Sequence, residues 1–277
     1  SASPPSPDLR SLTGVRLVLL LQIRIRIRAV RRVVLEPQPG VSSRALMAEG
    51  RTRRLLKELV NQEEPAWPLV QNLISAASVD VQQLAPGDAA GPKALFELQV
   101  TTRSPMGAIA YASGGLLVDR GWLRILGASG PRLDDGLLEW NTTVQGVSSP
   151  GDAGYLIVAH DAIGGFFAVN GGAFQGATRT IFYFAPDCLE WEATELGYTE
   201  FITWAMSGSL SKFYQDSRWP QWQDEVARLD PNRGILFYPP LWAKAEGSIE
   251  RRSRGAVPIR ELRGVQMEMR RQTSSRA

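Results

Sequence analysis

GGFFAVNGGAFQGATRTIFYFAPDCLEW, residues 164–191, is the stretch whose reading decides the fold. Gly164-Gly165 opens the apolar run Phe166-Phe167-Ala168-Val169, and Asn170-Gly171-Gly172 closes it. Asn and Gly accept positive φ at little steric cost, so the pattern predicts a strand followed by a tight reversal. Ile181-Phe182-Tyr183-Phe184 is aromatic, β-favouring and stopped by Pro186, which predicts its antiparallel partner. The acidic-aromatic cluster of Asp187, Glu190, Trp191 and Glu192 then leads toward a helix.

Outward from this pair, helical and strand patterns alternate. Upstream, residues 51–60 read as a charged helix, and Asn61 with Glu64 has capping-box spacing, with Pro65 suited to a first turn. Trp67, Val70, Leu73, Ile74 and Ala77 then follow helical spacing. Residues 80–92 read as a loop and 93–100 as a short helix or extended piece. Residues 107–111, 116–119 and 122–126 read as a meander broken at Gly114-Gly115 and Arg120-Gly121. Residues 127–151, rich in Gly, Pro, Ser and Asp, read as a long surface loop before a strand at 155–159. Downstream, Thr199 and Ser209 stand where helix caps belong, 219–229 is a third helix and 235–238 a strand. The last helix starts near Pro258 and turns Ile259, Leu262, Val265 and Met269 inward. This order predicts an α+β fold, a mainly antiparallel sheet with flanking helices.

The chain of 277 residues is long enough to bury a sizeable core. Its net charge of +3 is unevenly placed. Residues 1–46 carry eight arginines against Asp8 and Glu36, which leaves 23 basic and 26 acidic residues in 47–277. Residues 1–66 contain no aromatic side chain, while all eight tryptophans lie between Trp67 and Trp242. The alternating Ile23-Arg24-Ile25-Arg26-Ile27-Arg28 suits a strand laid on nucleic acid or an anionic membrane. The favoured expectation is plainer: 1–46 is a disordered Arg-rich extension, or lies upstream of a natural start at Met47, and 47–277 is a single α+β domain. Leu17 to Leu21 is too short to span a bilayer, so no membrane span is expected. A lone Cys188 excludes an intrachain disulfide framework and fits a reducing, cytoplasmic setting.

Several long words resemble the bacterial domain-of-unknown-function family 2625: EEPAWPLVQ from Glu63, LQVTTRSPMGAIAY from Leu98, GGLLVDRGWLRILG from Gly114 and GGFFAVNGGAF from Gly164. YFAPDCLEW from Tyr183, YPPLW from Tyr238 and AVPIREL from Ala256 extend the match over roughly 58–272. The resemblance implies one coherent fold and carries no assigned activity. A second, fold-level resemblance is to the SUKH superfamily, which includes immunity proteins of bacterial toxin systems. It rests on NGG at 170–172 followed by a helix start at Tyr198-Thr199 with Phe201-Ile202.

Candidate chemistry is sparse. His160 is the only histidine, which excludes a His-pair metal site, and P-loop and dinucleotide-binding glycine patterns are absent, so no metal or cofactor is expected. His160-Asp161 suits a general base with its carboxylate, but neighbours on a strand face opposite ways, which favours a strand-end polar pair. Cys188 is read as a small buried residue rather than a nucleophile. Arg103 and Ser104, with Thr101 and Thr102, form a hydroxyl-guanidinium group suited to a carboxylate or phosphate, although pairing of Arg103 with an acid is the favoured reading. Asp187, Glu190 and Trp191, with Trp122 and Asn170, complete the candidate binding residues. Two functions follow. The first is a non-catalytic protein-binding module of the folded part, of immunity type with a toxin-like partner and no nucleic acid. The alternative is a small-molecule binder or enzyme with a pocket joining Arg103 and Ser104 to Asp187 and Glu190.

Overall fold

The computed structural model describes residues 53–244 and 248–274, all within one compact unit. The readings of segment 1–46 and of Met47 lie outside the described residues. The chain opens with α1 (Leu56–Leu59), α2 (Trp67–Ser75), β1 (Val81–Leu84), α3 (Ala90–Leu98) and α4 (Pro105–Ala112). It continues through β2 (Gly115–Val118), β3 (Leu123–Leu126), α5 (Leu137–Trp140), β4 (Tyr155–Asp161), β5 (Phe166–Asn170), β6 (Thr180–Ala185) and β7 (Glu190–Gly197). α6 (Tyr198–Ala205), α7 (Ser209–Phe213), α8 (Trp222–Ala227), β8 (Arg233–Tyr238), β9 (Ser253–Pro258) and α9 (Ile259–Ser274) complete it.

Strands β1 to β7 form one antiparallel sheet in sequence order, and β8 pairs with β9 in a separate ribbon. The fold is α+β, with an antiparallel sheet and flanking helices. The central pair is in the register its aromatic runs imply, Phe166 opposite Phe184 and Val169 opposite Ile181. Its connection is longer than a tight reversal. Asn170 organises it: Oδ1 accepts from the amides of Gly172 and Phe174, and Nδ2 donates to the carbonyls of Phe174 and Ala177.

Side chains alternate across the sheet, so register assigns each to a face. Gln82, Leu117, Arg124, His160, Phe166, Phe184 and Trp191 are successive cross-strand partners and share one face. Trp140 of α5 packs there on His160 and Phe166, and the Arg263 guanidinium of α9 lies over the Phe166 ring. Ile125, Ala159, Phe167 and Tyr183 share the opposite face, where Phe201 and Trp204 of α6 and Phe213 of α7 pack. With helices on both faces, the strands read as apolar runs rather than a clean alternation.

Asp161 ties the end of β4 to this second face. Its Oδ1 accepts from the amides of Ile163 and Gly165 at 3.0 and 2.7 Å, and its Oδ2 accepts from the hydroxyls of Tyr183 and Tyr214 at 2.9 Å each. Only glycine fits at 165, because a Cβ there would stand 2.2 Å from the carboxylate and 2.4 Å from the Tyr183 hydroxyl.

Several expected elements are corrected. Residues 107–111 are helical within α4, whose N-cap is the extended Ser104, so this run is part of a helix rather than the first strand of a meander. The charged helix expected from residue 51 is limited, among the described residues, to the single turn of α1. Residues 80–92 contain edge strand β1 and the start of α3. The long stretch at 127–151 holds the buried helix α5, with Leu137 and Trp140 in the core. Asp187, Glu190 and Glu192 do not lead into a helix; Glu190 and Glu192 lie on edge strand β7, whose acidic side chains discourage edge-to-edge pairing. Gly197 and Gly208, rather than Thr199 and Ser209, are the N-caps of α6 and α7. Val265 is exposed on α9 while Ile259 and Leu262 are buried.

Candidate anion-binding site

The structure separates the residues singled out in the sequence. Arg103 forms an exposed ion pair with Glu64. Ser104 accepts from the Gly107 amide at 3.1 Å and donates to the Thr101 carbonyl at 3.0 Å, which is the work of a helix cap. Asp187 and Glu190 are exposed around the β6–β7 turn, and no hydrogen bond or ion pair among the described residues links them to Arg103 or Ser104. Trp191 is half-buried against Tyr155, Phe174 and Phe184. Trp122 is fully buried, ringed by Tyr214, Trp219 and Trp222, and the Arg218 guanidinium lies over both its ring and that of Trp222. Asn170 is committed to its own loop. Cys188, expected in the core, is exposed at the same turn as Asp187. Partial desolvation and the neighbouring carboxylates push its thiol up to about 11, away from thiolate chemistry.

A different group of side chains comes together on the first face of the sheet. Arg124 projects from the middle of β3, flanked by Leu117 and His160 on the adjoining strands, and is 1% exposed. Its Nε and Nη1 are buried with no hydrogen-bond partner among the described residues. Burial lowers its pKa to about 10, while Asp161 through the sheet and Asp230 act from a distance in the other direction. Leaving a guanidinium without partners in the interior is costly, so its retention calls for a reason.

Arg124 lines a cavity of about 280 Å³ between β1–β3 and the segment of α8 and the turn after it. Arg120 and Arg132 line the same cavity, together with Asp80, Gln82 and the apolar Leu117, Val226 and Leu229. Arg120 and Arg132 are exposed while Arg124 is buried, which puts Arg124 at the inner wall and the other two at the mouth. Arg120 is delivered there by the β2–β3 turn, in which Asp119, Arg120 and Gly121 all have left-handed φ (52, 60 and 83°) and the Trp122 amide donates to the Asp119 carbonyl at 3.0 Å. A left-handed arginine is a strained choice, the kind of backbone cost that collects at binding sites. The Asp119 carboxylate is held by the buried Arg218, so the turn is anchored from behind.

His160 faces the same way as Arg124 and is fully buried beside Trp140 and Phe166, with no hydrogen-bond partner for either ring nitrogen among the described residues. His160 and Asp161 point to opposite faces, so they do not form an acid–base pair. Burial first, and Arg124 second, hold the His160 imidazole well below its ordinary pKa of 6.5. The unfolded chain takes up a proton there that the folded chain refuses. Folding stability is therefore expected to fall as pH drops below about 6.5, by up to about 1.4 kcal/mol per pH unit. Asp161, whose carboxyl burial raises, acts in the opposite sense on acidification, so a variant comparison isolates the histidine. The stability gap between wild type and His160→Gln, from denaturant titrations, is expected to be flat above pH 7 and to move by about 1 kcal/mol between pH 6 and 5. A gap that does not change with pH contradicts a neutral buried imidazole.

The sequence contains the signal for Arg124, a lone arginine inside the apolar run Leu123-Arg124-Ile125-Leu126, but charge within a strand is ordinarily read as a solvated face. Arg120 and Arg132 lie in turn and loop, where sequence spacing says nothing of convergence. Among the described residues, no group of three His, Cys, Asp or Glu is placed to hold a metal ion, and no helix is long and apolar enough to cross a membrane.

This is an antiparallel α+β protein with an arginine-lined cavity at one end of its sheet. The sequence pattern of the family described as "Protein of unknown function DUF2625" matches residues 56–262, and the chain belongs to that family. It is 42% identical over 218 residues to the putative uncharacterized protein YbfG of Escherichia coli (strain K12), covering 78% of this chain and 97% of that one. It is 36% identical over 204 residues to an uncharacterized protein of Haemophilus influenzae (strain ATCC 51907 / DSM 11121 / KW20 / Rd), covering 74% of this chain and 90% of the relative. No solved structure matches significantly.

Proposed function

We propose that this chain is a small-molecule-binding protein that takes a small organic anion, carboxylate or phosphate, into the cavity walled by Arg124. One observation carries the reading: a guanidinium 1% exposed, with two nitrogens unpartnered among the described residues, opens on a cavity that two further arginines share. Guanidinium presents paired N–H donors to carboxylate or phosphate, and a low-dielectric wall strengthens the contact. The titratable lining is three arginines and Asp80, an arrangement suited to holding an anion rather than to moving a proton. The proposed pocket is thus not the one joining Arg103 and Ser104 to Asp187 and Glu190. The test is a melting-temperature screen of mono- and dicarboxylates and phosphomonoesters. A ligand at about a hundred times its Kd is expected to stabilise wild type by about 2.7 kcal/mol, roughly 5–10 °C, and to leave Arg124→Met unmoved. If no anion shifts wild type, or if both proteins shift alike, the reading fails.

The second reading, a protein-binding module of immunity type in a cytoplasmic setting, draws on the exposed acidic turn of Asp187 and Glu190 beside Trp191. It is weaker because Trp191 spends its ring on Tyr155, Phe174 and Phe184 instead of offering it as an anchor.

A further inference from the structure

We infer that the ligand of the Arg124 cavity is a small dianion, held at its inner group by Arg124 and at its outer group by Arg120 and Arg132. This rests on the anion-binding reading above and adds the ligand's charge and shape. Elsewhere the fold pairs many of its guanidiniums with carboxylates: Arg53 with Glu97, Arg218 with Asp119, Arg254 with Glu225 and Arg260 with Asp135. None of the three cavity arginines has a carboxylate within ion-pair distance among the described residues, and what distinguishes them from other unpaired arginines is that they line one cavity. Arg132 makes one long hydrogen bond, 3.5 Å, to the Gln82 side chain. Asp80 faces the same cavity without closing on any of them.

Three cations and one carboxylate line the cavity, and the carboxylates of Asp161 and Asp230 act on Arg124 only from a distance, so a positive excess remains at the lining that a dianion offsets further than a monoanion. The burial difference separates those charges along the cavity, which suits two anionic groups better than one. Leu117, Val226 and Leu229 line the space and call for a short carbon body between the groups. The volume of about 280 Å³ corresponds to roughly nine water-sized units, enough for a chain of a few carbons with two charged ends. Short dicarboxylates carry the two charges on separate groups, whereas a phosphomonoester such as glycerol 3-phosphate carries both on one group, although guanidinium binds either in bidentate fashion.

Calorimetric titration of the full chain at low salt with succinate, glycerol 3-phosphate and butyrate separates the possibilities. Succinate is expected to bind about tenfold or more tighter than butyrate. Arg120→Gln and Arg132→Gln, both exposed, are each expected to lower succinate affinity about fivefold and butyrate affinity by less, so that the preference for the dianion shrinks. Succinate bound more tightly than glycerol 3-phosphate supports two separated anionic groups, and the reverse order overturns the two-ended arrangement. Butyrate binding as tightly as both dianions, and lost in Arg124→Met, overturns the dianion while sparing the anion site. Failure of all three to bind wild type removes both.

Discussion

Replacing Asp161 by Ala is expected to destabilise the protein by at least about 4 kcal/mol, a large share of the 5–15 kcal/mol that holds a typical domain together. The carboxylate is fully buried and accepts four hydrogen bonds, two from backbone amides in the β4–β5 turn and two from tyrosine hydroxyls on different elements. Removing it leaves all four donors in the interior without an acceptor, at about 1–3 kcal/mol each before relaxation. The same carboxylate faces Arg124 through the sheet, so its loss also deepens the penalty on that guanidinium. Tyr183→Phe and Tyr214→Phe each delete one donor and leave the acceptor satisfied three times over, so each is expected to cost only about 1 kcal/mol. Urea unfolding of the three variants checks this ordering. A loss below about 1 kcal/mol for Asp161→Ala would mean that the four-donor knot does not hold this end of the sheet.

Arg124→Met carries the opposite sign and is diagnostic of function. In most cores, deleting a large side chain destabilises. Here the side chain is a buried cation without a direct partner among the described residues, and exchange for an apolar residue of similar length is expected to stabilise the ligand-free protein by about 1–4 kcal/mol. The melting temperature is expected to rise by several degrees while anion binding disappears. Such a trade of stability against binding is the mark of a residue kept for what it holds. A melting temperature lowered by more than a few degrees would instead make Arg124 a structural residue.

The fold was legible where local chemistry and tertiary role agree. Gly164-Gly165 and the Asn170 turn punctuate β5, and the aromatic run before Pro186 can pack only as β6. Helices α2 and α9 show one-sided apolar spacing. Misreadings fall where a pattern serves two structures. The run from Met106 to Ala112 in α4 is apolar nearly all round, so periodicity cannot tell a buried helix from a buried strand, although Ser104-Pro105 is a fair helix start. β7 looks like a charged approach to a helix because an edge strand carries its acids outward. α5 hides inside a glycine-rich stretch that folds back onto the core instead of running over the surface.

The site was the least legible part. Arg103, Ser104, Asp187 and Glu190 attract attention because they cluster in sequence, yet a cap and an ion pair account for the first two. Arg120, Arg124 and Arg132 lie on a turn, a strand and a loop, and only the antiparallel pairing of β1 to β3 with the chain after α8 brings them to one cavity. Burial and missing partners mark Arg124, and neither can be read from residue order.

The most direct measurement is the side-chain NMR signal of the Arg124 Nε–H, assigned by its absence in Arg124→Met, during titration with succinate. The anion-site reading predicts that this resonance shifts and exchanges more slowly with solvent as succinate saturates, with Arg120 and Arg132 moving in step. A fixed Arg124 signal while the two exposed arginines shift would show a surface ion cloud and contradict a ligand seated on the buried guanidinium.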